Sequence, residues 1–151
     1  MSTEVAKRLF NVTEYYRMGD VGVLTEDDGI ELIEGKLYDR ITGEKRRFTV
    51  EEYYQLLEAG VLTEDDRVEL IEGEIIEMNP VGKRHAACVK RLNTLFSSRV
   101  GQAAIVSVQD PINLNDRSDP LPDLALLRPR ADFYAHAHPT PADGERGQLR
   151  S

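Results

Sequence analysis

Asp123 is the side chain in this chain with the clearest chemical potential. It follows Pro122 and stands directly before Leu124-Ala125-Leu126-Leu127, an apolar run without charge. Such a run reads as a buried strand, which puts a carboxylate at the strand's mouth. A carboxylate at a buried edge is costly unless something pairs with it, and a metal ion is one such partner. The other reactive side chains are less telling. His85 falls at the start of a helical pattern, where a histidine is more often a surface or capping residue than a ligand. Cys88 has no second cysteine and no nearby His-Asp pair to mark it as a nucleophile, so it reads as a neutral or core residue. His136 and His138 lie in a proline-containing stretch that reads as a polar loop rather than a metal clip. Thr63-Glu64-Asp65-Asp66 lacks the alternating ligands and distal Glu of a calcium loop and reads as a capped acidic turn.

The elements that must position these residues come from periodicity and punctuation. Thr49 followed by Glu52 is a capping box that opens a helix from Val50 to about Ala59, with Tyr53, Leu56 and Leu57 as its apolar stripe. Gly60 stops it. Val68 to Met78 reads as two short strands joined at Glu72-Gly73, a hairpin. Lys83 to about Val100 is an amphipathic helix. Ala86, Val89, Leu92, Leu95 and Phe96 form its apolar stripe, and Lys83, Arg84, Lys90 and Arg91 crowd the other side. Ala103–Val108 is a strand, bent at Asp110-Pro111 and continued by Ile112–Leu114. Residues 115–120 read as an exposed turn, and Leu124–Leu127 as the next strand.

The N-terminal half is duplicated. Residues 10–37 align without gaps on residues 48–75, and 17 of the 28 aligned positions are identical. Two copies are too few for a solenoid, so the simpler account is a segmental duplication, each copy reading helix, turn, hairpin. Asn11 and Glu14 repeat the capping box of Thr49 and Glu52. Only one copy can lie next to the Lys83 helix, and copy two is continuous with it. Copy one is then expected to pack alongside or to be loosely attached, and the remainder to fold without residues 1–45.

Composition narrows the class. With 151 residues, 40% of them hydrophobic and 30% charged, the chain suits one domain with a substantial core. No apolar run approaches a membrane span and the N-terminus has no signal-peptide pattern, so a cytoplasmic location and no membrane partner are expected. A single cysteine excludes an internal disulfide. The net charge of −8 argues against a general nucleic-acid binder. The charge is uneven, however. Residues 1–78 hold 9 Lys/Arg and 20 Asp/Glu, whereas residues 79–151 hold 10 and 7. The half containing Asp123 is the one suited to a phosphate backbone; ordinary solvated faces are the alternative.

Four stretches carry a family resemblance: Arg47-Phe48-Thr49-Val50-Glu51-Glu52-Tyr53-Tyr54, Leu62 through Ile75, Met78-Asn79-Pro80-Val81-Gly82-Lys83-Arg84-His85, and Pro122-Asp123-Leu124-Ala125-Leu126. Together, over about residues 47–143, they resemble the Uma-two family of endonucleases in the PD-(D/E)XK superfamily, and residues 10–37 resemble its start a second time. The resemblance implies an α/β (α+β) fold, a restriction-endonuclease-like core with a mixed sheet flanked by helices. It implies Mg²⁺ as cofactor, DNA as substrate and phosphodiester hydrolysis as reaction. Asp123 matches the first metal-binding carboxylate. Glu69 and His85 match an acidic and a histidine position of the family, Glu69 as a further metal-binding and catalytic carboxylate and His85 as a contact to phosphate or to metal-bound water. Lys83, Arg84, Lys90 and Arg91 are the implied nucleic-acid contacts.

The departure from the pattern comes at the end. Family members continue past a segment like Pro139–Asp143 into a strand carrying a Glu and then a Lys. Here Gly144–Ser151 has no such strand, and Glu145 sits between Gly and Arg. The expected organisation is therefore a duplicated segment (1–45), a partial restriction-endonuclease-like domain (46–143) and a disordered tail (144–151). The expected activity is impaired or absent. The alternative is a non-catalytic remnant or interaction module that associates through an exposed sheet edge, with itself as a homo-oligomer or with a chain supplying the missing half.

Overall fold

The computed structural model of the protein describes residues 6–78 and 82–144; the expected tail beyond Gly144 lies outside them. The fold is mixed α+β. It contains helices α1 (Val12–Asp20), α2 (Val50–Glu58) and α3 (Lys83–Val100). Strands β1 (Ile30–Ile33) and β2 (Lys36–Asp39) follow α1, β3 (Val68–Ile71) and β4 (Glu74–Glu77) follow α2, and β5 (Ile105–Val108) and β6 (Leu124–Leu127) follow α3. The strands pair as β1–β2, β3–β4 and β5–β6, each pair antiparallel and each a separate two-stranded sheet. The chain divides into two compact units, one made of Met1–Met78 with Asn115–Ser118, the other of Asn79–Leu114 with Asp119–Ser151.

In the first unit both repeat copies fold alike, because each carries the same local instructions. Asn11 caps α1 and Thr49 caps α2, with Glu14 and Glu52 returning the hydrogen bond to the cap in a complete capping box. Each hairpin turns on a Glu-Gly pair with both residues at positive φ: 50° and 81° at Glu34-Gly35, 49° and 82° at Glu72-Gly73. Positive φ at both central residues is the type I′ turn, whose twist matches that of the flanking strands. Glycine is further required here by space. A Cβ on Gly73 would lie 2.7 Å from Cβ of Arg47, and one on Gly35 would lie 2.9 Å from Cβ of Leu9.

The copies are joined by exchange. The Arg8 N–H of copy one donates to the Ile75 carbonyl of copy two, and the Arg46 N–H of copy two donates to the Leu37 carbonyl of copy one, both at 2.9 Å. Residues 8 and 46, like 37 and 75, are equivalent positions, so the two copies are related by a near two-fold operation. The repeat also starts further upstream than the 10–37 alignment shows, since Lys7-Arg8 recurs as Lys45-Arg46. One core results. Phe10, Met18, Val23, Leu24, Ile30 and Leu37 of copy one are buried in the same cluster as Phe48, Tyr53, Leu56, Val61, Leu62, Val68, Leu70 and Ile75 of copy two. Phe10 meets Phe48 edge-on at 6.4 Å between ring centres. Of the two arrangements expected for copy one, packing alongside is the one found for its described residues.

Partly buried ion pairs brace this core. Arg8 contacts Glu14 at 2.6 Å and Asp66 at 3.3 Å, and Arg46 contacts Glu52 at 2.6 Å. The hydrogen bond from Arg8 holds the Glu14 carboxyl below its usual range against the opposing effect of burial. Burial pushes Glu52 up, but the Arg46 side chain and the Thr49 N–H outweigh it and the net shift is downward.

The second unit is less deeply packed. α3 packs against β5 and β6, yet none of its residues is buried. Ala86, Val89 and Phe96 are half-buried, while Leu92 and Leu95 stay 37% and 42% exposed. The predicted continuation of β5 through Ile112–Leu114 is not a strand. The ladder stops at Val108, Gln109 turns at φ 52°, and the Ile112 N–H goes instead to the Pro120 carbonyl at 3.0 Å. The segment read as an exposed turn also differs from expectation, for Ser118 is 4% exposed and Asp119 2%. In the first unit the Ser118 hydroxyl accepts from the Glu72 N–H at 2.8 Å and the Arg117 carbonyl accepts from the Gly73 N–H at 2.7 Å. A sequence rich in turn residues is thus docked onto the β3–β4 turn, satisfying its backbone.

Two outcomes follow. Gly60 also has positive φ (77°) but open space around it, so Gly60→Ala should cost about 1 kcal/mol from backbone strain alone. Gly73→Ala should cost a further 1–3 kcal/mol, roughly, from the clash; urea unfolding of both variants checks this, and equal costs would refute the packing argument. Acid should destabilise the first unit. Glu14 and Glu52 have folded-state values below their unfolded ones, so their stabilisation is present above the unfolded carboxylate range, about pH 4.3, and is lost as pH falls through the folded values. Thermal melts at pH 7 and pH 3 should differ less for the Glu14→Gln/Glu52→Gln double variant than for wild type; an unchanged difference would assign the acid sensitivity to other groups.

Candidate functional site

The second unit brings two of the sequence-predicted residues together. α3 opens at Gly82, which has no side chain to cap it, and its first turn contains no acidic residue. The turn instead carries Lys83, Arg84 and His85, cationic or protonatable groups at the end of the helix where the dipole is already positive. Asp123 supplies the missing negative charge from across the unit: its Oδ2 lies 3.1 Å from Nε2 of His85. The carboxylate is placed by the end of the β5–β6 ladder, where Val108 pairs with Leu124. The Gln109 N–H then splits between the carbonyls of Pro122 and Asp123, at 3.1 and 3.2 Å.

The setting differs from the expected buried edge. The Asp123 and His85 side chains are each 48% exposed, and β6 is half-buried except at Leu127. Desolvation therefore does not force Asp123 to find a partner; its pairing with His85 is a solvent-accessible one. By its position alone His85 reads as a surface or capping residue, and the family resemblance makes it a contact to phosphate or metal-bound water. The available signal was the lack of any acid in the first turn of a helix that opens with three basic or protonatable residues, which calls for a carboxylate from elsewhere.

The helix sorts its polar groups onto two faces. Counting 3.6 residues per turn, His85 shares its side with Val89, Leu92 and Phe96, while Lys83, Arg84, Lys90 and Arg91 centre about 160° away. All four basic residues are exposed. Lys90 and Arg91 thus lie on the outer face of α3, away from the His85 side, and Lys83 and Arg84 are one turn or less from His85 along the axis. Glu69 is in the first unit, half-buried on β3 and paired in register with Ile76. Of the three predicted acidic and histidine site residues, the second unit therefore holds Asp123 and His85.

This pair suits proton handling. A carboxylate against one ring nitrogen orients the imidazole and leaves the other nitrogen for a partner. It does not make a complete Mg²⁺ cage. Mg²⁺ takes hard oxygen ligands in near-octahedral geometry, and among the described residues no three His, Cys, Asp or Glu side chains converge. None of the described helices is long and apolar enough to cross a membrane.

The family model for Uma2, described as putative restriction endonuclease, matches residues 50–143. The chain belongs to this Uma2 family. No curated protein and no solved structure matches it.

Proposed function

We propose that the second unit engages the phosphodiester backbone of DNA, with Asp123 and His85 as its reactive pair and Lys83 and Arg84 as the nearest phosphate contacts. Lys90 and Arg91 extend the positive surface along the outer face of α3. The reaction proposed with this pair, after the family, is Mg²⁺-dependent hydrolysis of DNA. The 3.1 Å pairing of Asp123 with His85 at the basic start of α3 is the observation that supports this location. One carboxylate and one imidazole are too few to hold Mg²⁺ in catalytic geometry, so the second unit is proposed to bind DNA with cleavage weak or absent.

A second reading is favoured by the surface of the same unit. β5 and β6 form only a two-stranded sheet, and Leu92 and Leu95 of α3 remain exposed beside it. Unpaired strand edges next to apolar side chains invite association. In this reading the unit is an interaction module that pairs with a second copy of the chain.

Fluorescence anisotropy with a labelled duplex tests the first reading. Affinity should fall steeply with salt, and Lys83→Gln and Arg84→Gln should each lower the log–log salt slope by about 1. Binding without salt dependence, or slopes unchanged in both variants, would count against it. Efficient Mg²⁺-dependent plasmid cleavage that disappears in Asp123→Ala would overturn the weak-activity part. Light scattering addresses the second reading: mass that rises with concentration and returns to monomer in Leu92→Glu/Leu95→Glu supports self-association, and a monomer at every concentration removes it.

A further inference from the structure

The first unit contains a convergence of lysines that neither the family nor the Asp123 site accounts for. Lys7 and Lys45 occupy the same position in the two repeat copies. Each sits on a leading segment that crosses the other copy's hairpin, Lys7 opposite Ile76 and Lys45 opposite Tyr38. The near two-fold relation therefore brings the two ammonium groups side by side, where like charges repel. At the neighbouring equivalent positions the copies differ, Lys36 in one and Glu74 in the other. Glu74 receives Lys7 at 2.6 Å and Lys45 at 4.0 Å. Three lysines thus face one carboxylate. Arg8 and Arg46, which line the same hollow, are already engaged by Glu14 and Glu52.

The like charge of Lys7, with Lys36 adding to it and Glu74 opposing, lowers the Lys45 pKa below the usual lysine value. The three lysines line an open hollow with Arg8, Arg46 and Glu74, and a second, wider one with Asp66 and Glu77. Three ammonium groups set against Glu74 and Glu77 leave an excess of positive charge that suits a small oxyanion.

We propose that Lys7, Lys36 and Lys45 form a binding site for a small doubly charged oxyanion, inorganic phosphate or the terminal phosphate of a phosphomonoester, on the near two-fold axis of the duplicated unit. A polynucleotide is disfavoured because residues 1–78 carry more than twice as many acidic as basic side chains, and a chain of phosphates would run onto the acidic turns that flank the hollow. The duplication itself builds this site: a single copy has only one such leading lysine.

Isothermal titration of the full chain with sodium phosphate, at ionic strength held constant with sodium chloride, tests the proposal. Wild type should show saturable binding at one site. Lys36→Gln and Lys45→Gln should each weaken it about tenfold, with thermal melts near wild type. Glu74→Gln should tighten it, because a competing carboxylate is removed. Glycerol 3-phosphate separates the two sources: equal or tighter binding than phosphate assigns the site to monoesters, and weaker binding assigns it to the free ion. No saturable binding by wild type, or binding that both lysine variants leave unchanged, would overturn the site. Displacement of phosphate by a DNA duplex through the same lysines would overturn its restriction to small anions.

Discussion

The backbone exchange between the two repeat copies is the constraint on which the first unit depends. A two-stranded hairpin is marginal alone in water, and each copy of this motif offers one hairpin and one short helix. Lending the leading segment of each copy to the hairpin of the other adds main-chain hydrogen bonds at both, Arg8 to Ile75 and Arg46 to Leu37. It also closes fourteen apolar side chains into one cluster. Copy one thus completes copy two in the way that a second subunit completes a symmetric dimer, with the chain connection replacing concentration as the force that holds them together.

The same exchange has an electrostatic consequence. Symmetry duplicates every charge near the axis, so a lysine on the leading segment necessarily meets its own copy. One of the departures from perfect repetition lies beside these two lysines, with Glu74 standing where copy one has Lys36. One carboxylate relieves part of the conflict and leaves the rest. The second unit shows the complementary case. There α3 begins with three basic or protonatable residues at its positive end, and the conflict is answered by a single carboxylate, Asp123, at the mouth of β6. In both units a charge arrangement that is unfavourable by itself creates a place for a negative group, supplied by the chain in one and open to a ligand in the other.

Much of the local structure was legible in the residues. The capping boxes, the stop at Gly60 and the turn at Glu72-Gly73 were readable because each depends on contacts within about four positions. The apolar stripe of α3 was readable as well, but its depth of burial was not: burial depends on how much of the unit covers it, and Leu92 and Leu95 remain exposed. Residues 115–120 misled for a similar reason. Their composition is that of a solvent-facing turn, and it is the backbone of the β3–β4 turn, more than forty positions upstream, that takes Ser118 out of water.

The candidate site divides along the same line. From the chain alone came Asp123 at a strand mouth, the basic character of the helix at Lys83 and the membership of the Uma2 family, because residue type, spacing and motif are properties of the chain itself. Only the tertiary structure paired His85 with Asp123, set Lys90 and Arg91 on the outer face of α3, placed Glu69 in the other unit and brought Lys7 against Lys45. The two pairings join residues 38 positions apart, and nothing in local spacing encodes which of many distant partners a folded backbone will bring together.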